Sequence, residues 1–171
     1  MVSAPVAAPL SEERVWATLA LVLDPEVPVL SVVELGIVRG VAVQGSAVHV
    51  TVTPTYTGCP ATEVIRDAIV QALERDGADE VTVEMQLAPA WTTDWIAPEA
   101  AEKLRRYGIA PPHAISHGAS VTTMRFRPRS LPCPRCDSRR TEQLSAFGST
   151  ACKALHRCLA CGEPFEYFKP I

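Results

Sequence analysis

Two closely spaced cysteine pairs constrain this chain more than any other feature. The pairs are Cys133–Cys136 and Cys158–Cys161, with 21 residues between them. Each pair can present two thiolates from one tight turn, and two such turns joined by short strands form a tetrahedral four-sulfur site. A segment of about 40 residues has too little core to fold alone, so a bound metal would supply much of its folding free energy. The pattern predicts a zinc ribbon with structural zinc, while an iron–sulfur cluster, labile iron and redox-active dithiols are alternatives.

The charge along the chain indicates a second, differently composed module. Of the 171 residues, those before position 105 include 15 acidic and 5 basic side chains, and those from 105 onward include 4 acidic and 11 basic ones. The hydrophobic content of 47% is typical of a globular protein, and six cysteines are too few for a disulfide-dense miniprotein. Six arginines between positions 125 and 140 could bind nucleic acid or an acidic protein surface.

The apolar pattern of the first module predicts a small α+β sandwich. Ser11 is a candidate N-cap for a helix that extends to Leu23, and alternation predicts strands over 37–43, 48–53 and 81–87. An amphipathic helix between the second and third strands completes the order α-β-β-α-β, and a short helix over 98–107 follows. The predicted domains are a flexible tail over 1–10, the α+β domain over 11–108, a linker over 109–130 with a strand at 121–126, and the ribbon over 131–171.

A second candidate site surrounds Cys59, which precedes the amphipathic helix. Proline is favoured at the first position of a helix, so Cys59 should lie at or beside the N-cap, where the helix dipole would stabilise its thiolate. Asp24 and Glu26 add two carboxylates on a proline-rich turn. The residues alone leave Cys59 open as a packed structural cysteine, a metal or cluster ligand, or a transfer thiol. Cys152, four residues before His156, could replace a ribbon ligand or simply fill the core.

The motifs resemble two known families. Residues 12–97, with DPEVPVLSVVELGIVRGV (24–41) and VTPTYTGCP (52–60), are similar to the iron–sulfur assembly domain of the SufT-like family. PAWTTDWI (89–96), LRRYGIAPP (104–112) and the tail CPRC…FGSTACKAL…CLACGEPFEYFKPI resemble the PaaD/PaaJ family of phenylacetyl-CoA oxygenase subunits over nearly the whole chain.

The second resemblance implies an accessory subunit of the multicomponent system that epoxidises phenylacetyl-CoA in aerobic phenylacetate degradation. Its partners would be the oxygenase and reductase subunits and other iron–sulfur assembly proteins, whose metal centres it would help to mature without catalysing a reaction itself. The family motifs fall on Asp24, Glu26 and Cys59 and on the four ribbon cysteines, so Cys59 would hold iron or a transient cluster.

Other readings of the sequence are a purely structural subunit, a nucleic-acid-binding regulator and, less favoured because Cys59 has no CxxC partner, a thiol oxidoreductase. The chain shows no export signal and no apolar run near the ~20 residues that a membrane span needs, which predicts a cytoplasmic protein. One site thiol per chain makes a homodimer that shares a cluster a further expectation.

Overall fold

The computed structural model describes residues 10–112 and 131–171, and the chain divides into two compact units between Trp91 and Thr92. Most of the predicted tail and linker, and the strand predicted at 121–126, lie outside the described residues. The first unit contains helices α1 (Glu12–Leu19) and α2 (Thr62–Arg75) and strands β1 (Val38–Gln44), β2 (Ala47–Val52) and β3 (Glu80–Met85). The second contains a 3-10 turn (Thr93–Trp95), helix α3 (Ala100–Tyr107) and strands β4 (Ile109–Ala110), β5 (Thr141–Ser145), β6 (Lys153–Cys158) and β7 (Pro164–Phe168). None of the described helices is long and apolar enough to span a membrane.

The first unit is the predicted α-β-β-α-β sandwich. Its sheet has the order β1-β2-β3, in which β1 and β2 form an antiparallel hairpin and β2 and β3 run parallel. The parallel pair requires a crossover connection, which α2 provides. Alternate side chains of β2 (Val48, Val50 and Val52) are buried, and α2 buries Ile69 and Leu73. The mixed α+β fold class predicted from the sequence is therefore confirmed.

Helix α1 is shorter than predicted. The Ser11 hydroxyl accepts a hydrogen bond from the Arg14 N–H at 3.2 Å, which confirms the N-cap, but the helix ends at Leu19 instead of continuing to Leu23. The residues after Leu19 form hydrogen bonds with the chain that follows the next turn. The N–H of Val32 donates to the carbonyl of Val22 at 2.9 Å. These long-range bonds replace the helical ones, which local periodicity cannot reveal.

The second unit is a four-stranded sheet with the order β4-β7-β6-β5. Its core lies around the central strands β6 and β7, which pair antiparallel. The buried cluster includes two of the paired cysteines and several apolar side chains: Ala110, Leu131, Cys133, Ala154, Cys158, Phe165 and Tyr167. This is the ribbon that the cysteine spacing predicts, enlarged by residues that precede it in the chain.

Helix α3 and strand β4 belong to the second unit, whereas the sequence placed α3 in the first domain and residue 109 at the start of a linker. Strand β4 pairs parallel with β7, and the Arg105 guanidinium contacts the Asp137 carboxylate at 2.6 Å. Gly108 closes α3 with a φ of 101°, a left-handed conformation that glycine commonly adopts at the end of a helix. The apolar face of α3 could pack against the core of either unit, so the sequence pattern of this helix does not show which unit contains it. The predicted domain bounds themselves stay a prediction.

Candidate metal centre and thiol site

The four paired cysteines converge on one point in the second unit. Their sulfur atoms all lie within 4.8 Å of one another. The Sγ atoms of Cys133 and Cys161 are 3.8 Å apart, and those of Cys136 and Cys158 are 3.6 Å apart. A tetrahedral zinc ion with Zn–S bonds of about 2.3 Å separates its sulfur ligands by about 3.8 Å. The four thiols therefore fit a closed tetrahedral metal site.

The two CxxC turns share one design. The N–H of Arg135 donates to the sulfur of Cys133, and the N–H of Ala160 donates to the sulfur of Cys158, each at 3.4 Å. In each turn the first cysteine is fully buried and the second is exposed. Each turn thus holds its first thiolate by a backbone N–H as well as by its own packing.

The electrostatics of the cluster favour a bound cation. Backbone N–H groups, that of Cys161 above all, lower the pKa of Cys158 to about 6. The N–H of Ser138 lowers the pKa of Cys136, but the three neighbouring thiols and burial outweigh it and raise the value to about 12. Four thiols this close cannot all ionise without a positive charge between them, and a metal ion supplies that charge.

Cys152, immediately before β6, and His156, within β6, lie outside the metal-donor group found among the described residues. The Cys152 sulfur is buried and is 3.0 Å from the Thr150 hydroxyl. The His156 ring is buried too, with the rings of Phe165 and Tyr167 each 5.7 Å from it between centroids, and burial lowers its pKa. Both side chains are buried in the second unit.

The Cys59 loop differs from the prediction in where the helix begins. Helix α2 starts at Thr62 with Ala61 as its N-cap, so Cys59 lies two residues before the cap. Cys59 is held in two successive turns: its N–H donates to the carbonyl of Tyr56 at 3.1 Å, and its carbonyl accepts from the N–H of Thr62 at 3.2 Å. These turns carry the chain past Pro60 before the first helical bond forms.

The acidic turn lies within electrostatic reach of Cys59. Asp24 is buried, and its Oδ1 accepts hydrogen bonds from the N–H groups of Glu26 at 2.9 Å and Val27 at 2.8 Å. Burial raises the pKa of the half-buried Cys59 thiol; the N–H of Ala61 lowers it, and the carboxylates of Glu26 and Asp24 raise it further. The net direction is opposite to the stabilised thiolate that the sequence suggested, because burial and two anions outweigh the helix N-terminus. The fold nevertheless brings together three residues from turns more than thirty positions apart.

Thr53 adds an unusual polar group at the end of β2, where the Cys59 loop begins. Its side chain is only 1% exposed, and no hydrogen-bond partner of its hydroxyl oxygen is present in the described structure. An unsatisfied buried hydroxyl costs about 1–3 kcal/mol, and such a group calls for a specific explanation. The sequence marks Thr53 only as one of several threonines in the VTPTYTGCP motif.

Fold and site together define the class of protein. A family model described as "Iron-sulfur cluster assembly protein" matches residues 12–85, and one described as "PaaD zinc beta ribbon domain" matches residues 117–169. The molecule therefore joins an α+β domain of the iron–sulfur cluster assembly class to a zinc β-ribbon.

Individual relatives define the family more narrowly. The chain is 49% identical to a 1,2-phenylacetyl-CoA epoxidase subunit of Escherichia coli K12 over 164 residues, which cover 96% of each chain. It is 33% identical to an Fe-S protein maturation auxiliary factor of Porphyromonas gingivalis, covering 55% of this chain and 90% of that one. A solved DUF59 domain from Bacillus anthracis is 28% identical, with a TM-score of 0.49 over 52% of this chain and 86% of the other. The chain belongs to the same family of phenylacetyl-CoA epoxidase subunits as its E. coli relative.

Proposed function

We propose that this protein matures the metal centres of a phenylacetyl-CoA epoxidase by holding iron or an iron–sulfur cluster at Cys59 and passing it on. The observation that carries the proposal is the placement of the Cys59 thiol within electrostatic reach of Asp24 and Glu26. A thiol beside carboxylates suits a cationic iron cargo, because a bound cation favours loss of the thiol proton and gives a thiolate ligand. The resemblance to maturation factors over the same domain supports this reading.

The three residues would have different roles. Asp24 already uses Oδ1 to hold the turn, so it positions the neighbouring Glu26. Glu26 and Cys59 are both partly exposed and can reach a cargo that arrives from solvent. Structural metal sites use a closed set of four protein ligands, so a single thiol suits transient holding better than permanent storage. A homodimer would bring two such thiols to one cluster.

The ribbon would hold a resident zinc ion through Cys133, Cys136, Cys158 and Cys161. Such an ion supplies folding free energy, and four protein ligands leave no open position for catalysis. Arginines 135, 139 and 140, within and just after the first CxxC in the chain, are exposed and would recognise an acidic surface of the oxygenase or reductase. The function is therefore that of an assembly factor in the cytoplasm with no reaction of its own.

The test is co-expression of the oxygenase and reductase with the Cys59→Ser variant in cells that lack the natural chain. We expect lower iron content and lower epoxidase activity in the purified oxygenase–reductase system, with a normal yield of this protein. Cys152→Ser is the matched control, because it makes the same substitution at a buried thiol of the other unit, which cannot receive a cargo from solvent. Unchanged iron and activity with Cys59→Ser would contradict the proposal.

The name of the E. coli relative, an epoxidase subunit, favours a second candidate: an accessory chain that only stabilises the oxygenase complex. That role requires stoichiometric co-purification with the active oxygenase, whereas a maturation factor acts at substoichiometric amounts. Titrating this protein into a maturation reaction separates the two roles.

Nucleic-acid binding is the alternative role for the ribbon arginines. Such binding would weaken steeply with salt, and a binding assay with duplex and single-stranded DNA tests it.

A further inference from the structure

The end of β5 and the FGSTAC loop (147–152) that follows it have no role in the site described above, yet they present two exposed apolar side chains. Phe147 is 64% exposed and Leu144 is 49% exposed. Leu144 lies at an irregularity of the β5–β6 ladder, between the paired residues Gln143 and Ser145. A β-bulge of this kind redirects the side chain of the extra residue. We call Leu144 and Phe147 the apolar knob.

The backbone that carries the knob is held in place by the sheet beneath it. The N–H of Gly148 donates to the carbonyl of Lys153 at 2.7 Å, and the N–H of Ser149 donates to Glu166 Oε1 at 2.6 Å. Glu166 is itself paired with the buried Lys153, whose Nζ is 2.9 Å from Oε2. A Cβ at Gly148 would lie 2.6 Å from Glu166 Oε1, so any other residue there would push this carboxylate out of its present position.

The charge beside the knob is positive. Lys169 Nζ lies 4.7 Å from the centre of the Phe147 ring and donates to the carbonyl of Ala146 at 3.3 Å. The acidic side chains on the neighbouring strands are paired, Glu142 with Arg157 and Glu166 with Lys153. Residues 92–171 include 12 basic and 7 acidic side chains. We therefore expect the partner surface that binds the apolar knob to be acidic.

We propose that the apolar knob is an anchor that inserts into an apolar pocket with an acidic rim on an oxygenase or reductase subunit. The identity of that partner rests on the proposed function, whereas the chemistry of its surface follows from the loop. Aromatic side chains that fill pockets at the centre of an interface dominate binding energy. A loop already fixed in one conformation loses little entropy on binding, which raises the affinity that such an anchor provides.

The test measures binding of the purified full-length chain to the purified oxygenase and reductase components by biolayer interferometry. We expect Phe147→Ala to raise the Kd at least about tenfold, and the wild-type Kd to rise with salt concentration. Tyr107→Ala is the control, because Tyr107 is a comparably exposed aromatic residue (51%) of the same unit and should bind like wild type. Wild-type affinity in Phe147→Ala, or no binding by the wild-type chain, would overturn the proposal.

Gly148→Ala tests the fixed loop separately, since it keeps the aromatic ring but displaces the carboxylate that holds the backbone. Gly148→Ala should weaken binding to the partner while metal content stays normal; normal binding would contradict the role of the fixed loop.

If sedimentation shows that Phe147→Ala abolishes self-association and leaves oxygenase binding unchanged, the knob contacts a second copy and the proposal is wrong. Cys59→Ser should bind normally yet fail in maturation, so the anchor and the thiol site can fail independently.

Discussion

Replacing Cys158 with serine should unfold the second unit and leave the first unit folded. Cys158 is fully buried, accepts the N–H of Ala160 at its sulfur, and lies 3.6 Å from the sulfur of Cys136. Serine keeps the size of the side chain but does not provide the soft anionic sulfur that holds zinc. Cys152→Ser is the matched control, because it changes a buried thiol of the same strand region that lies outside the metal-donor group.

The size of the effect follows from comparing two free energies. A unit of 80 residues has a net stability of roughly 4–12 kcal/mol at typical values per residue. Structural zinc contributes about 10–16 kcal/mol of apparent binding free energy in small zinc domains at neutral pH. The sulfur–sulfur distances of 3.6 and 3.8 Å already match the tetrahedron, so little of that energy is needed to rearrange the site. Losing the metal therefore removes an amount comparable to the whole stability of the unit.

Hydrogen exchange measured by mass spectrometry resolves the two units in the intact chain. In Cys158→Ser the amides of β6 and β7 should exchange rapidly, those of β2 and α2 should stay protected, and zinc should fall below the one ion per chain expected for wild type. Removing the metal from the wild-type chain with a chelator should give the same pattern. Cys152→Ser should keep its metal and its protection. Retained protection of β6 and β7 in metal-free Cys158→Ser would refute the reasoning.

Two charged pairs lead to further predictions. Asp76→Asn should lower the free energy of unfolding in urea by about 1 kcal/mol, because Asp76 accepts from both Arg14 and Thr18 in a partly exposed pair. Arg14 holds the pKa of Asp76 below its usual 3.8, so this stabilisation is complete above that pH; the difference between wild type and variant should shrink as acid titrates through the lowered folded pKa. Lys153→Met should cost about 3 kcal/mol by leaving Glu166 without its counter-charge, and adding Glu166→Gln should recover most of it; thermal unfolding of the three chains measures both steps.

Local spacing made the metal site predictable. A spacing of two residues between cysteines places both thiols on one turn. The short strands between the two cysteine pairs then bring the two turns together. The α-β-β-α-β order was predictable for a similar reason, since the periods of 2 and 3.6 residues are properties of short segments. The exact start of α2 was not, because Pro60 permits a helix start but the turns around Cys59 delay it by two residues.

Three features that the sequence did not predict depend on residues that are far apart in the chain. The end of α1 at Leu19 depends on bonds to residues beyond the following turn, and the place of α3 in the second unit depends on the pairing of β4 with β7. The raised pKa of Cys59 depends first on burial in the folded chain and then on carboxylates more than thirty residues away. None of these contacts has a signature in the neighbouring sequence.

The sequence by itself determined the two modules, the four metal ligands and the candidate thiol with its acidic turn, because each is specified by residue type and short spacing. Only the tertiary structure showed that burial, together with the carboxylates of Glu26 and Asp24, raises the pKa of Cys59. Only the structure placed Cys152 and His156 outside the metal-donor group and fixed the loop that presents Phe147. Electrostatic coupling, burial and loop rigidity depend on distances between residues remote in the chain, and those distances exist only once the chain has folded.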